Sequence, residues 1–232
     1  MIQSWEVVDR HVSNANLTQV LDWAVRKFGD KLTLACSFGA EDVVLVDALQ
    51  RIPGGGKVDM FYLDTHLHFP ETYETRDRLE KRYGITFKRV TPELSLEEQH
   101  ASYGPALWRK DPNQCCYIRK VQPLEKTLAG YDAWITGIRR EQSPTRKSAE
   151  IVETDERFGL TKLNPLAHWS SDDVWEYIED YDVPYNPLHD EQYPSIGCAP
   201  CTNPVMEGDD PRSGRWSGFQ KTECGLHATA AE

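Results

Sequence analysis

The sequence predicts an α/β domain built on a mostly parallel sheet with helices on both faces. Three observations carry that expectation. Short apolar runs that read as strands alternate with segments of helical spacing across the first 140 residues. Ser37-Phe38-Gly39-Ala40-Glu41-Asp42 directly follows one such run and opens a helical pattern. Arg139 and Arg140 directly follow another run and Gly137, which puts positive charge at a strand's carboxyl end, where open parallel sheets bind ligands.

The elements follow in order. Leu17, Val20, Leu21, Ala24 and Phe28 keep helical spacing, and Gly29 stands where a helix C-cap glycine belongs. Lys31–Cys36 reads as a strand and Glu41–Gln50 as a mostly buried helix, ended by Pro53-Gly54-Gly55-Gly56. Val58–Leu63 is a second strand, Pro70–Tyr83 a charged amphipathic helix and Ile85–Val90 a third strand. Cys115–Leu128 reads as helical and Ala133–Thr136 as a fourth strand. Beyond Ile151 the pattern loosens, leaving one clear helix, Ser171–Tyr181, opened by Ser170 with Asp173 three residues on. No linker interrupts the chain. The expectation is a single domain over 1–232, with a flexible tail from about 205 to 232 that carries Cys224.

The chain has 232 residues, 39% hydrophobic and 27% charged, which suits an ordinary folded domain. The net charge of −11 argues against nucleic acid or anionic membrane as partners. No apolar run reaches membrane-span length, and Met1–Glu6 has neither the basic nor the apolar region of a signal peptide, so the cytoplasm is the expected compartment. In that setting the six cysteines are expected to bind metal or do thiol chemistry rather than form structural disulfides.

Several groups carry candidate chemistry. Ser37, Phe38 and Gly39 at a helix start suit an anion, although a plain strand-to-helix turn would use the same residues. Asp64 ends a strand, where it would bond a ribose or adenine or, equally, cap the next helix. Cys115-Cys116 and Cys198-Ala199-Pro200-Cys201 leave three readings open: a zinc site, a redox pair or an iron–sulfur cluster. Cys201 runs into Thr202-Asn203-Pro204, unlike a redox pair that opens a helix, and adjacent cysteines reach different irons more easily than one tetrahedral ion. Cys224 lies between Lys221 and His227, which favour the nucleophilic thiolate. Arg139, Arg140, Arg212 and Arg215 suit sulfate or phosphate oxygens, and Lys120 lies one helical turn beyond Cys116. Solvated surface arginines are the plainer alternative for any one of them. Cys36 falls outside every motif and is expected to pack at the end of a core strand.

Taken together, these motifs resemble the assimilatory adenylyl-sulfate reductases of the thioredoxin-dependent sulfonucleotide reductase family. The resemblance runs from about Leu32 to His227. It is carried by Ser37–Asp42, Leu63-Asp64-Thr65, Phe69–Tyr73, the two cysteine pairs, Thr136–Ser143, Tyr193–Cys201, Arg212–Trp216 and Glu223-Cys224-Gly225-Leu226-His227. It implies a five-stranded sheet like that of adenine-nucleotide α-hydrolases. It implies a 4Fe–4S cluster on Cys115, Cys116, Cys198 and Cys201, tuning electrostatics rather than cycling electrons. Ser37, Phe38, Gly39, Asp64, Lys120, Arg139, Arg140, Arg212, Arg215 and His227 would then bind adenosine 5′-phosphosulfate. Some cluster-bearing relatives also accept 3′-phosphoadenosine 5′-phosphosulfate. Cys224 would attack sulfur, and reduced thioredoxin (or a glutaredoxin-like reductant) would release sulfite from the resulting S-sulfocysteine. His66 stands where relatives often have glycine. The competing readings are an ATP-dependent adenylating enzyme, disfavoured by Ser-Phe-Gly-Ala-Glu-Asp in place of Ser-Gly-Gly-x-Asp-Ser, and a zinc-stabilised binding module, which leaves Cys224 and the arginines unused. A homo-oligomer is compatible with the sequence.

Overall fold

The computed structural model describes residues 16–226. Helix α1 (Leu17–Phe28) starts with an Asn16–Gln19 capping box and ends at Gly29, where φ is 54°. Strand β1 (Leu32–Ala35) leads into α2 (Ala40–Gln50), β2 (Asp59–Leu63), α3 (Pro70–Tyr83) and β3 (Lys88–Val90). Three short helices follow: α4 (Leu96–Tyr103), α5 (Leu107–Lys110) and α6 (Pro112–Cys116). A π-helical turn, Tyr117–Val121, joins α6 to α7 (Gln122–Leu128), so the expected single helix over Cys115–Leu128 carries a π-bulge. Strand β4 (Ala133–Ile135), hairpin strands β5 (Val152–Asp155) and β6 (Leu160–Leu163), and α8 (Ser171–Asp180) complete the elements used below.

The sheet has six strands in the order β3-β2-β1-β4-β6-β5, not five. All neighbours are parallel except β5, which runs antiparallel to β6 at one edge. The hairpin escaped the sequence because its apolar pattern is weak. Three of four β5 residues are polar, and β6 buries Thr161 and Lys162. Lys162 sits opposite Glu153 and pairs with it at 2.9 Å, so cross-strand charge stands where apolar contact is usual.

The two-residue period of the strands separates two apolar layers. Leu32, Leu34, Met60, Tyr62, Ala133 and Ile135 face α1, α2 and α8. Phe61 and Trp134 face the opposite side, against Leu124, Leu128 and Leu160. From β1 the chain winds through β2 to β3 on one side, then returns to β4 on the other. The reversal leaves a crevice between the carboxyl ends of β1 and β4, the switch point at which such sheets bind ligands. Gly137 allows the close approach there. A Cβ on it would lie 2.4 Å from Asp42 Oδ1 and 2.9 Å from Glu41 Cβ. Among the described residues no helix is long and apolar enough to cross a membrane.

Asp47 of α2 ties the helical layer together. Its carboxylate accepts hydrogen bonds from Tyr83 (2.8 Å) and Tyr177 (2.7 Å) and pairs with Arg51. Burial pushes its pKa up, but the bonds from Arg51, Tyr177 and Tyr83 outweigh that and hold it below the ordinary value. A depressed folded-state pKa gives stability that is present above the unfolded carboxylate value of about 3.9 and is lost as pH falls through the folded one. Asp47→Asn is therefore expected to lower unfolding free energy at neutral pH by about 2–3 kcal/mol. The gap should narrow below about pH 4 in urea titrations; a pH-independent gap would contradict the assignment.

Candidate active site

A cavity of about 970 Å³ opens at the β1/β4 crevice. Its floor is the loop that follows β1. Ser37 donates from its N–H (2.6 Å) and its Oγ (2.5 Å) to Asp42 Oδ2, which closes the loop onto the first turn of α2. Burial raises the Asp42 pKa to about 6 against the pull of both Ser37 bonds. Phe38 takes φ 63°, and its ring turns inward against Tyr62 and Phe87. Gly39 is the N-cap of α2. A Cβ there would meet only Ser37 Oγ at 3.5 Å and Glu41 Oε2 at 4.0 Å, so internal crowding does not impose glycine, and its open side faces the cavity.

Cations line the opposite walls. Arg139 is buried and paired with Glu41 at 2.8 Å. Arg215 lies against Gly197, where a Cβ would come 2.2 Å from its Nη2, and Nη1 donates to Ser195 Oγ at 3.1 Å. Its guanidinium also stacks 4.6 Å over Trp216. The Nε atoms of both Arg212 and Arg215 are buried without a hydrogen-bond partner. Both side chains line the cavity, and guanidinium groups there suit anionic oxygens.

The paired cysteines share a small second cavity, lined by Cys115, Cys116, Cys198 and Cys201 together with Arg119, Lys120, Arg215 and Trp216. Cys198 and Cys201 flank a 3-10 turn held by Cys201 N–H to Cys198 O at 2.9 Å. The turn is docked by Ala199 N–H to Leu67 O at 2.7 Å. Cys198 Sγ also lies 3.3 Å from Thr65 Oγ1. Burial and the neighbouring cysteines push Cys115 up to about 12 and Cys201 up to about 11. Four thiolates packed this closely need a cationic partner, so the donor set fits a thiolate-bound metal group. Among the described residues, no three His, Cys, Asp or Glu side chains gather closely enough to hold a single ion. Lys120, Arg215 and Trp216 line both cavities and form the wall between them.

Cys224 lines the larger cavity. Burial opposes its thiolate, but Lys120, the Leu226 N–H and Arg215 together bring its pKa below the ordinary thiol value, with Glu223 acting against them. Residues 205–226 pass the cavity largely exposed, with Val205, Gly214 and Trp216 buried. Trp216 is buried with its N–H on Cys201 O (3.0 Å), and Thr202 bridges Arg215.

The structure brings Ser37, Phe38, Gly39, Lys120, Arg139, Arg212, Arg215 and Cys224 to one cavity and leaves two expected residues out of it. Asp64 is buried beneath the cavity. It accepts from Tyr73 (2.7 Å), the His66 N–H (2.9 Å) and Arg89 (2.6 Å), so its oxygens are engaged within the protein. It does not cap α3, whose N-cap is Phe69. Arg140 points away, to Ala149 O (2.7 Å) and Glu150 (2.9 Å). The backbone at Arg139 is extended, so successive side chains leave on opposite sides. His227 lies outside the described residues. Cys36 is buried at the end of β1, as expected, and burial raises its thiol pKa well above the ordinary value.

Two cations were not among the residues expected at the site, although Arg146-Lys147 is one of the local basic clusters of the sequence. Arg146 lines the cavity and forms a two-point pair with Glu223, both bonds at 2.8 Å. Arg119 is buried beside the cysteines and donates to Thr65 O (2.7 Å) and Gln99 (2.8 Å). Their signals were present in Ser143-Pro144-Thr145-Arg146 and in the Arg119 that precedes Lys120, but single arginines on loops and helices are ordinary surface residues until burial is known.

Residues 31–204 match the phosphoadenosine phosphosulfate reductase domain family. Adenosine 5′-phosphosulfate reductase from Halalkalibacterium halodurans is 51% identical over 221 residues, covering 95% of each chain. Adenosine 5′-phosphosulfate reductase 2 from Bacillus subtilis is 52% identical over 209 residues, 90% of this chain and 88% of that one. The phosphate complex of phosphoadenylyl-sulfate reductase from Candida auris superposes with a TM-score of 0.76 at 30% identity, covering 88% of this chain and 99% of that one. FMN adenylyltransferase from Candida glabrata, at 13% identity and a TM-score of 0.59 over 91% of this chain and 71% of that one, shares the fold alone. With its sheet, its cavity and nearly its whole length in agreement, the chain belongs to the phosphoadenosine phosphosulfate reductase domain family.

Proposed function

We propose that this protein reduces adenosine 5′-phosphosulfate to sulfite and AMP, with Cys224 as the nucleophile. The observation that carries the reading is one thiol, held toward its thiolate by Lys120 and Arg215, in a cavity also lined by Arg139, Arg146 and Arg212. Ser37 and Gly39 seat the nucleotide at the start of α2. Lys120, Arg139, Arg212 and Arg215 screen the charge of the sulfate and of the phosphate leaving group. The Cys224 thiolate attacks sulfur, the sulfur–oxygen bond to phosphate breaks, and AMP departs with that bond's electron pair. The S-sulfocysteine that remains is opened by a thiolate of reduced thioredoxin at Cys224 Sγ. Sulfite leaves with the electron pair, and the second thioredoxin thiol closes a disulfide and frees Cys224. Two thiols are thereby oxidised as one sulfur is reduced. For the second step the tail has to present Cys224 to another protein, so residues near Cys224 must leave the cavity. A reducing cytoplasm suits this chemistry.

A 4Fe–4S cluster on Cys115, Cys116, Cys198 and Cys201 is part of the proposal. Bound there, it would supply a fixed charge beside Lys120 and keep the four thiolates neutralised. Lys120, in the shared wall, then faces the cysteines on one side and the substrate on the other.

The proposal predicts that, with reduced thioredoxin, sulfite forms far more efficiently from adenosine 5′-phosphosulfate than from its 3′-phosphorylated form. Equal kcat/KM for the two would overturn the substrate assignment. Anaerobically purified protein is expected to be brown, with iron and acid-labile sulfide in equal amounts, and Cys201→Ser to lose that colour. Stoichiometric zinc in colourless protein, recovered without iron loss, would overturn the cluster.

A further inference from the structure

We infer that Glu223 is a positioning residue, a carboxylate latch that seats the tail so that Cys224 faces the cavity; this rests on the reading of Cys224 as the nucleophile. Glu223 is only 9% exposed and is the most heavily bonded residue of the tail. Arg146 donates to it from Nε and Nη2, both at 2.8 Å, and Arg212 Nη2 adds a contact at 3.3 Å. The Ser143 and Thr145 hydroxyls donate at 3.2 and 3.1 Å. Burial raises the carboxyl pKa, but Arg146 and Arg212 more than reverse it, so the latch is charged at neutral pH.

The neighbours of Glu223 are held less firmly, and each from a different element. Thr222 O accepts from Arg212 Nη2 at 2.9 Å, and Gly225 O from Arg157 at 2.6 Å. Leu226 packs beside the Phe61, Leu124 and Trp134 layer. Cys224 thus hangs between a charged anchor on one side and a single backbone bond on the other. A buried ion pair broken at one partner leaves an uncompensated charge, so losing the carboxylate forces Arg146 and Arg212 apart or into solvent.

The latch does not take the place of the substrate. Arg212 engages Glu223 and Thr222 O through Nη2 alone among its guanidinium nitrogens, and the side chain also lines the cavity. One guanidinium can hold the tail and still donate to a bound anion. Substrate binding and tail docking are then compatible, which a thiol attack on bound nucleotide requires.

The proposal is tested on the full chain with Glu223→Gln, Glu223→Asp and Arg157→Ala, each checked for unchanged colour and thermal unfolding. Glu223→Gln is expected to slow S-sulfocysteine formation in a single turnover at saturating substrate by about tenfold to a hundredfold, with AMP affinity unchanged. Amide exchange across 219–226 should accelerate in the same variant. Glu223→Asp should recover part of the rate, and Arg157→Ala should show a smaller effect of the same sign. Single-turnover rates equal to the unmodified protein, or tighter AMP binding with unchanged tail exchange, would overturn the latch; the second result would make Glu223 a competitor of the substrate. Amide exchange needs no chemistry, so failure of the nucleophile reading would instead appear as no adduct in the unmodified protein.

Discussion

The proposed attack of a thiolate on a sulfate joined to phosphate as a mixed anhydride brings negative charge onto negative charge. In the proposed reaction the difficulty is greater, because the four paired cysteines line a cavity next to that of Cys224. The cations lining the two cavities counter that repulsion. Lys120 is half-buried and its pKa is raised: desolvation opposes the ammonium, and Cys198, Cys224 and Cys116 together overcome it. One cation therefore stands beside the cysteine pocket, Cys224 and the larger cavity at once, and Arg215 likewise lines both cavities. The π-bulge over Tyr117–Val121 has its place here, since it is the turn that carries both Arg119 and Lys120 directly after the first cysteine pair. Local irregularity of this kind is commonly kept at functional sites.

The balance extends into the tail. Glu223 adds a negative charge beside Cys224, which by itself disfavours the thiolate. Two arginines absorb that charge and convert it into an anchor. In the proposed reaction the same segment must release for a reductant to reach Cys224. An ion-paired latch suits such a segment better than a large apolar contact, because water can replace its bonds once it opens.

Much of this was legible in the sequence, and the exceptions have physical reasons. The alternation of strands and helices, the loop after β1, the two cysteine pairs and Cys224 were visible because each is a local pattern of residue types. Arg139 and Arg140 looked equivalent, and only the extended backbone at Arg139 sends one into the cavity and the other to Ala149 and Glu150. Asp64 had the right position at a strand end, but its partners, Tyr73 and Arg89, come from other elements and occupy it. The β5–β6 hairpin was hidden because an edge pair held by Glu153 and Lys162 lacks an apolar signature. His66 takes φ 58°, a backbone conformation in which glycine is at ease. Arg146 and Glu223 are 77 residues apart, and no spacing rule joins them.

The central claim is that Cys224 itself takes the sulfur from the nucleotide. Mass spectrometry of protein incubated with adenosine 5′-phosphosulfate and no reductant tests it most directly. The peptide containing Cys224 should gain the mass of one SO3 group as AMP is released in equal amount, and reduced thioredoxin should then remove that group as sulfite. AMP release with Cys224 unmodified, or the adduct on Cys36 or a paired cysteine, would contradict the account.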